Sequence, residues 1–183
     1  MITNVEFSKQ AGSSKYTGIP YNQLDCQAFV EKVLFDAGCK KSNGAAYNWK
    51  GSNDMWRNAL SWKGTIDECL KQYGEIPVGA WVFILAYDGG EKDRGYNDNQ
   101  GNAKHVGIYV GQDAVRDSTR NNRRDGVGYR ELKDFNRVGF CRYLDYLTDN
   151  KENNIGDMIP IINSIRAELD TLERMVLNDL RTD

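Results

Sequence analysis

Histidine is the scarcest chemistry-bearing residue in this chain: one, His105, among 183 residues. The four cysteines, at 26, 39, 69 and 141, form no C-x-x-C pair, and a lone histidine cannot complete a zinc-finger spacing. A structural zinc site is therefore not expected, and no other resident cofactor is. Neither sign of charge dominates, since 24 Lys and Arg stand against 26 Asp and Glu for a net −2. That balance removes the bulk electrostatic argument for nucleic acid or an anionic membrane as partner, although a local basic patch stays open. No run is long and apolar enough to cross a bilayer. The opening residues Met1-Ile2-Thr3-Asn4-Val5-Glu6-Phe7 have neither a basic n-region nor an apolar h-region, so synthesis in the cytoplasm without a Sec signal is expected. A cytoplasmic start argues against disulfides, and Cys39, Cys69 and Cys141 read as buried thiols.

What the chain does have is 40% apolar residues and four Trp with ten Tyr, enough for one globular domain with an appendage. Residues 1–24 are rich in turn signals. Asp25 is placed to cap a helix with apolar positions Phe29, Val30, Val33, Leu34 and Ala37, and Gly38 to end it. Residues 42–76 are polar and Trp-rich, and one or two short helices are expected there, Asp67–Tyr73 the better candidate. Ala80-Trp81-Val82-Phe83-Ile84-Leu85-Ala86-Tyr87 reads as a buried strand. A long loop, 88–104, then leads to a strand at His105–Val110. A short strand near Val115–Ser118, a basic loop over Arg116–Arg130 and a last strand at Val138–Leu144 follow. Helices first and an antiparallel sheet afterwards give an α+β class.

Composition shifts after residue 147. A polar linker precedes Met158, Ile162, Ile165, Leu169, Leu172 and Val176, spaced 4, 3, 4, 3 and 4. The division is thus a domain over 1–147 and a linker with an amphipathic heptad helix over 148–183. Self-association through that helix would set Glu168 against Glu173, so docking on the domain or on a partner such as a phage tail is an equal alternative.

Two residues suggest chemistry. Cys26 falls in the first turn of its helix, where unpaired N–H groups and the dipole favour a thiolate. It also continues the apolar stripe by one step, so simple burial is the competing reading. His105 opens a strand after a polar loop, where its ring can face a cleft or merely solvent. A catalytic thiol needs a base near neutrality, and only one imidazole is available. The 88–104 loop carries Asp88, Glu91, Asp93 and Asp98, oxygen ligands whose spacing does not fit an EF-hand. Arg116, Arg120, Arg123 and Arg124 cluster either to face solvent or to hold an anionic substrate.

Four segments in order, Gly18-Ile19-Pro20-Tyr21, Leu24-Asp25-Cys26-Gln27-Ala28-Phe29-Val30, Pro77-Val78-Gly79-Ala80-Trp81-Val82-Phe83 and His105-Val106-Gly107-Ile108-Tyr109-Val110-Gly111, resemble the NlpC-type cysteine peptidase family. In that family D-C-S-G-F-V starts a helix, P-G-D-x-x-F opens a strand and H-V-G-I-Y-x-G begins the next. The resemblance spans about residues 16–144 and implies a papain-like core, its helices packed on an antiparallel sheet, acting on bacterial cell-wall stem peptides, often next to D-glutamate. It implies Cys26 as nucleophile, His105 as base and Tyr21 as an oxyanion donor beside the Cys26 N–H. The residue orienting the imidazole falls at Asp117, where relatives more often carry His, Asn or Gln; a turn or surface carboxylate is the plainer reading, and Asp125 is a weaker rival. Asp25 matches a position that binds a substrate amine in some relatives, beside its simpler work as helix cap. Gln27 and Ala28 replace the usual Ser and Gly.

The expectation is a peptidoglycan endopeptidase of phage or prophage origin, virion-associated or released as an endolysin to act at the cell wall. An N-acetylmuramoyl-L-alanine amidase on the same fold and a non-enzymatic tail subunit with a degenerate pocket are the alternatives.

Overall fold

A computed structural model of the chain describes residues 1–146. The heptad-patterned segment expected over 148–183 lies outside the described residues. The fold is mixed α/β, with four α-helices and a six-stranded antiparallel sheet among the described residues.

Thr3 opens the first helix, α1 (Asn4–Ala11), through a reciprocal capping box with Glu6. This corrects the turn-rich reading of residues 1–24, which takes no account of the T-x-x-E signature at Thr3 and Glu6. Ahead of α1, β1 (Ile2–Thr3) pairs in parallel with β8 (Leu144–Asp145). Helix α2 (Cys26–Asp36) follows its expected course. Asp25 accepts from the Ala28 N–H at 2.8 Å, and Phe29, Val30, Val33 and Leu34 are buried. Gly38 beyond it takes φ 90°, which only glycine adopts without strain.

The Trp-rich stretch holds α3 (Ser52–Asn58), β2 (Leu60–Thr65) and α4 (Ile66–Tyr73). The strand between the helices was not expected there. The sheet order is β2, β7, β3, β4, β5, β6, with β3 at Trp81–Ala86, β4 at Asn102–Gly111, β5 at Ala114–Asn121, β6 at Arg124–Glu131 and β7 at Arg137–Cys141. The last expected strand is therefore two, β7 and β8, parted by a turn.

The largest difference is at Arg116–Arg130. Its residues form the β5–β6 hairpin, in unbroken register from Ala114 against Glu131 to Asn121 against Arg124, and not a loop. The Asn121 side chain accepts from the N–H groups of Arg123 and Arg124 at 2.9 and 3.0 Å, closing the turn. The preceding β4–β5 turn has Gln112 and Asp113 both at positive φ, 51° and 56°, the pattern of a tight hairpin. One core joins the buried faces of α1, α2 and α3 to Trp81, Phe83, Val106 and Ile108 of the sheet.

Candidate active site

The helix and the sheet bring four of the sequence-selected residues together. Cys26 is the first residue of α2, buried to 7% exposure, with the open N-terminus of the helix at its backbone. His105 on β4 is 8% exposed, its ring 6.0 Å from that of Phe135 and nearly parallel to it. The ring's Nε2 lies 2.6 Å from Oδ2 of Asp117, which is fully buried on β5. Cys26 acts on the same ring both as a hydrogen-bond partner and as a charge. With Nε2 engaged by the carboxylate, Nδ1 is the nitrogen left for the thiol.

Three influences set the protonation of His105. Burial is the largest and disfavours the imidazolium. The hydrogen bonds to Asp117 and Cys26, with the charges of both, outweigh it and raise the ring from 6.5 to about 9. The ring thus holds its proton at neutral pH. The other cysteines differ in kind. Burial pushes Cys69 up to about 11 and Cys141 to about 12, so both are inert thiols at neutral pH.

Tyr21 also interacts with the Cys26 side chain. Burial first, then the neighbouring Cys26 and Asp25, raises its hydroxyl above the ordinary value, so it remains a donor. Asp25 is exposed at the helix start and spends one carboxylate oxygen on the cap. Asp125 stands apart from the imidazole: it accepts from the Tyr21 N–H at 3.1 Å and from Arg120 at 3.3 Å.

Tyr21, Asp25 and Cys26 line a cleft of about 820 Å³. Its walls continue through Lys50–Asn53, Gly90, Asp93 and Arg94 and the Asn102–Lys104 edge of β4. Gln27 positions one wall, donating to the Trp49 carbonyl at 2.5 Å and to Glu31 at 2.8 Å, while Glu31 accepts from the Trp49 N–H at 2.7 Å. Burial raises the Glu31 carboxyl above its ordinary value against those hydrogen bonds. The expected 88–104 loop ends earlier, since residues 102–104 belong to β4, and it is tied down by Arg57, paired with Asp98 at 2.7 Å, and by Lys104 of β4, paired with Asp88 at 2.6 Å. Two of its acids, Asp88 and Asp98, are thus matched by cations, and the described residues include no cluster of three or more metal-ligating side chains. A larger hollow, about 1100 Å³, lies along the β5–β6 hairpin away from Cys26. Most of its cations are engaged, Arg124 by Asp117, Arg130 by Asp134 and Lys133 by Glu131.

No protein-family model matches the chain, and no curated protein does.

Sequence reasoning missed the residues behind Asp117. Arg124 pairs with Asp117 Oδ1, and Arg130 Nη1 stands 3.6 Å from Oδ2. Arg116 is 1% exposed, stacked over Tyr129 at 4.3 Å and donating to Thr17 Oγ1 at 2.6 Å. Of the four arginines expected to cluster, Arg116 and Arg124 are thus held by the protein itself, while Arg120, paired with Asp125, and Arg123 are exposed. A signal existed. Arg124, Gly126, Gly128 and Arg130 recur every second residue, which on a strand puts two cations and two glycines on one face.

Proposed function

We propose that the protein is a thiol hydrolase with a papain-like core, cleaving an amide bond in the stem peptides of bacterial cell walls through Cys26, His105 and Asp117. The observation that carries this reading is the chain of contacts from the open N-terminus of α2 through the Cys26 thiol and the buried His105 ring to Asp117 Oδ2 at 2.6 Å. The order of the four segments around Cys26 and His105, and a cleft lined mainly by polar side chains and backbone, support it further.

The geometry suits the following steps. Asp117 accepts from Nε2–H and fixes the ring, so that the proton given up by Cys26 is held on Nδ1 of the imidazolium. The thiolate sulfur attacks the amide carbon, and charge collects on the carbonyl oxygen. In this reading the Cys26 N–H and the Tyr21 hydroxyl donate to that oxygen. The C–N bond then breaks as the imidazolium gives its proton to the departing amine, leaving a thioester on Cys26. Water attacks the thioester, His105 takes its proton, and the thiolate leaves with the acid formed. Asp25, exposed beside Cys26, and Lys50 and Arg94 in the same cleft offer an ammonium site and carboxylate sites.

The test is mass spectrometry of fragments released from purified walls by the wild type and by Cys26→Ala. New peptide fragments with the wild type alone are expected, and their masses identify the bond. Fragments bearing a free lactyl group would reassign the enzyme as an amidase. No release from walls of several stem-peptide types, by protein shown to be folded, would sink the hydrolase reading.

A further inference from the structure

We propose that Arg124 is a positioning residue for the Cys26–His105 pair, acting through Asp117; this rests on the hydrolase reading above. Asp117 is fully buried and its two oxygens are divided, Oδ2 meeting His105 Nε2 at 2.6 Å and Oδ1 meeting Arg124 Nη2. The guanidinium is itself anchored, since Nη1 donates to the Tyr129 carbonyl at 2.9 Å on its own strand. Room for this arrangement comes from two glycines. A Cβ on Gly128 would overlap the Arg124 guanidinium, and a Cβ on Gly107 would crowd Val115 and lie 3.2 Å from the Asp117 Cβ.

The arrangement has two consequences. It fixes Oδ2 toward the ring, and it sets a cation behind the carboxylate so that Asp117 does not spend its whole charge on the imidazolium. The groups facing the ring and its carboxylate are Cys26 from α2, with Tyr21 before it, Asp117 and Arg116 from β5, and Arg124 and Arg130 from β6. Asp134 stands behind Arg130 at 3.2 Å. Adding a proton to the His105–Asp117 pair is opposed by the Arg124 charge whichever of the two carries it.

The only histidine of the chain gives one pair of imidazole C–H resonances, so its titration can be followed by proton NMR without choosing among residues. In Arg124→Gln its midpoint is expected to rise on the order of one pH unit. Arg124→Lys, which keeps the charge, is expected to stay near the wild type. Gly128→Ala keeps every charge but pushes the guanidinium aside, and a smaller rise is expected; it carries the test if Arg124→Gln does not fold. The alkaline limb of wall cleavage is expected to move with each midpoint. An unmoved or lowered midpoint in folded Arg124→Gln, or in folded Gly128→Ala where Arg124→Gln does not fold, overturns the proposal, as does a Lys variant that matches the Gln variant. Because the resonance reads the pair without turnover, a raised midpoint in protein that releases no wall fragments supports the role of Arg124 and overturns only the hydrolase reading.

Discussion

On β3 and β7 the buried side chains include Trp81, Val82, Phe83, Leu85, Val138, Phe140 and Cys141; on β5, two strands away from β3, they are Val115, Arg116, Asp117 and Ser118. Both sets are shielded from water to a similar degree, yet one is apolar and the other is mostly charge and hydroxyl. The apolar half needs only shape, and each side chain there adds transfer free energy without a partner of defined direction. The polar half must find a partner for each group. Ser118 donates to the Leu24 carbonyl, Arg116 to Thr17, and Asp117 is shared by His105, Arg124 and Arg130. Buried ionic groups are seldom the most stable filling for such a space. Their presence in one half of a continuous sheet marks where the fold departs from its most stable filling, while β3 and β7 hold the platform.

The comparison can be broken by mutation. Phe83→Ala removes a fully buried ring packed on Trp56 and is expected to cost about 3–5 kcal/mol in urea unfolding. The pH profile of Cys26 alkylation in the remaining folded protein should not change; a changed profile would mean that the two halves are not separable. Next comes the pH dependence of stability. The His105 ring rises on folding from 6.5 to about 9, so its stabilisation is complete below about pH 6.5 and is lost as pH climbs through about 9. Unfolding measured at either end of that window is expected to differ by on the order of 3 kcal/mol in the wild type and to flatten in His105→Gln. Asp25→Ala removes the cap on the Ala28 N–H and should cost about 1 kcal/mol, with a stronger loss of cleavage for substrates bearing a free amine. The smallest effect is expected for Arg116→Met. It deletes a buried cation that has one hydrogen bond and an unpartnered Nε, so stability should stay within about 1 kcal/mol or increase. A large loss on that change would show that the charged half stabilises the fold as firmly as the apolar half does.

The apolar half was the legible half. The run from Trp81 to Ala86 has strand length and no polar break, and α2 announces itself by its cap, stripe and terminal glycine. Cys26 and His105 were found because their neighbours form recognisable segments and because one histidine leaves no choice of base. The β5–β6 hairpin was not legible, since two strands with two arginines each, one of them also carrying two glycines, read as a solvated loop unless their carboxylate partner is already placed. Asp117 was picked by its place after the His strand; that it is wholly buried followed only from Arg124 and Arg130, which tertiary pairing alone reveals. Strand β2 was lost for another reason: Leu60-Ser61-Trp62-Lys63-Gly64-Thr65 is short and weakly alternating, and only its pairing with β7 makes it a strand.

The parallel pairing of Ile2–Thr3 with Leu144–Asp145 also carries a consequence for assembly of the chain. Those residues are separated by almost the whole described sequence, so this ladder cannot form until nearly all of it has been synthesised. Tyr146 then seals the same corner, its hydroxyl donating to the Gly79 carbonyl at 2.8 Å and accepting from the Cys141 N–H at 3.3 Å. Topologically, residues 2–146 are a nearly closed ring, and a short bridge across that corner would allow the chain to be reopened at the Asn122–Arg123 hairpin tip with every strand of the sheet still in its place.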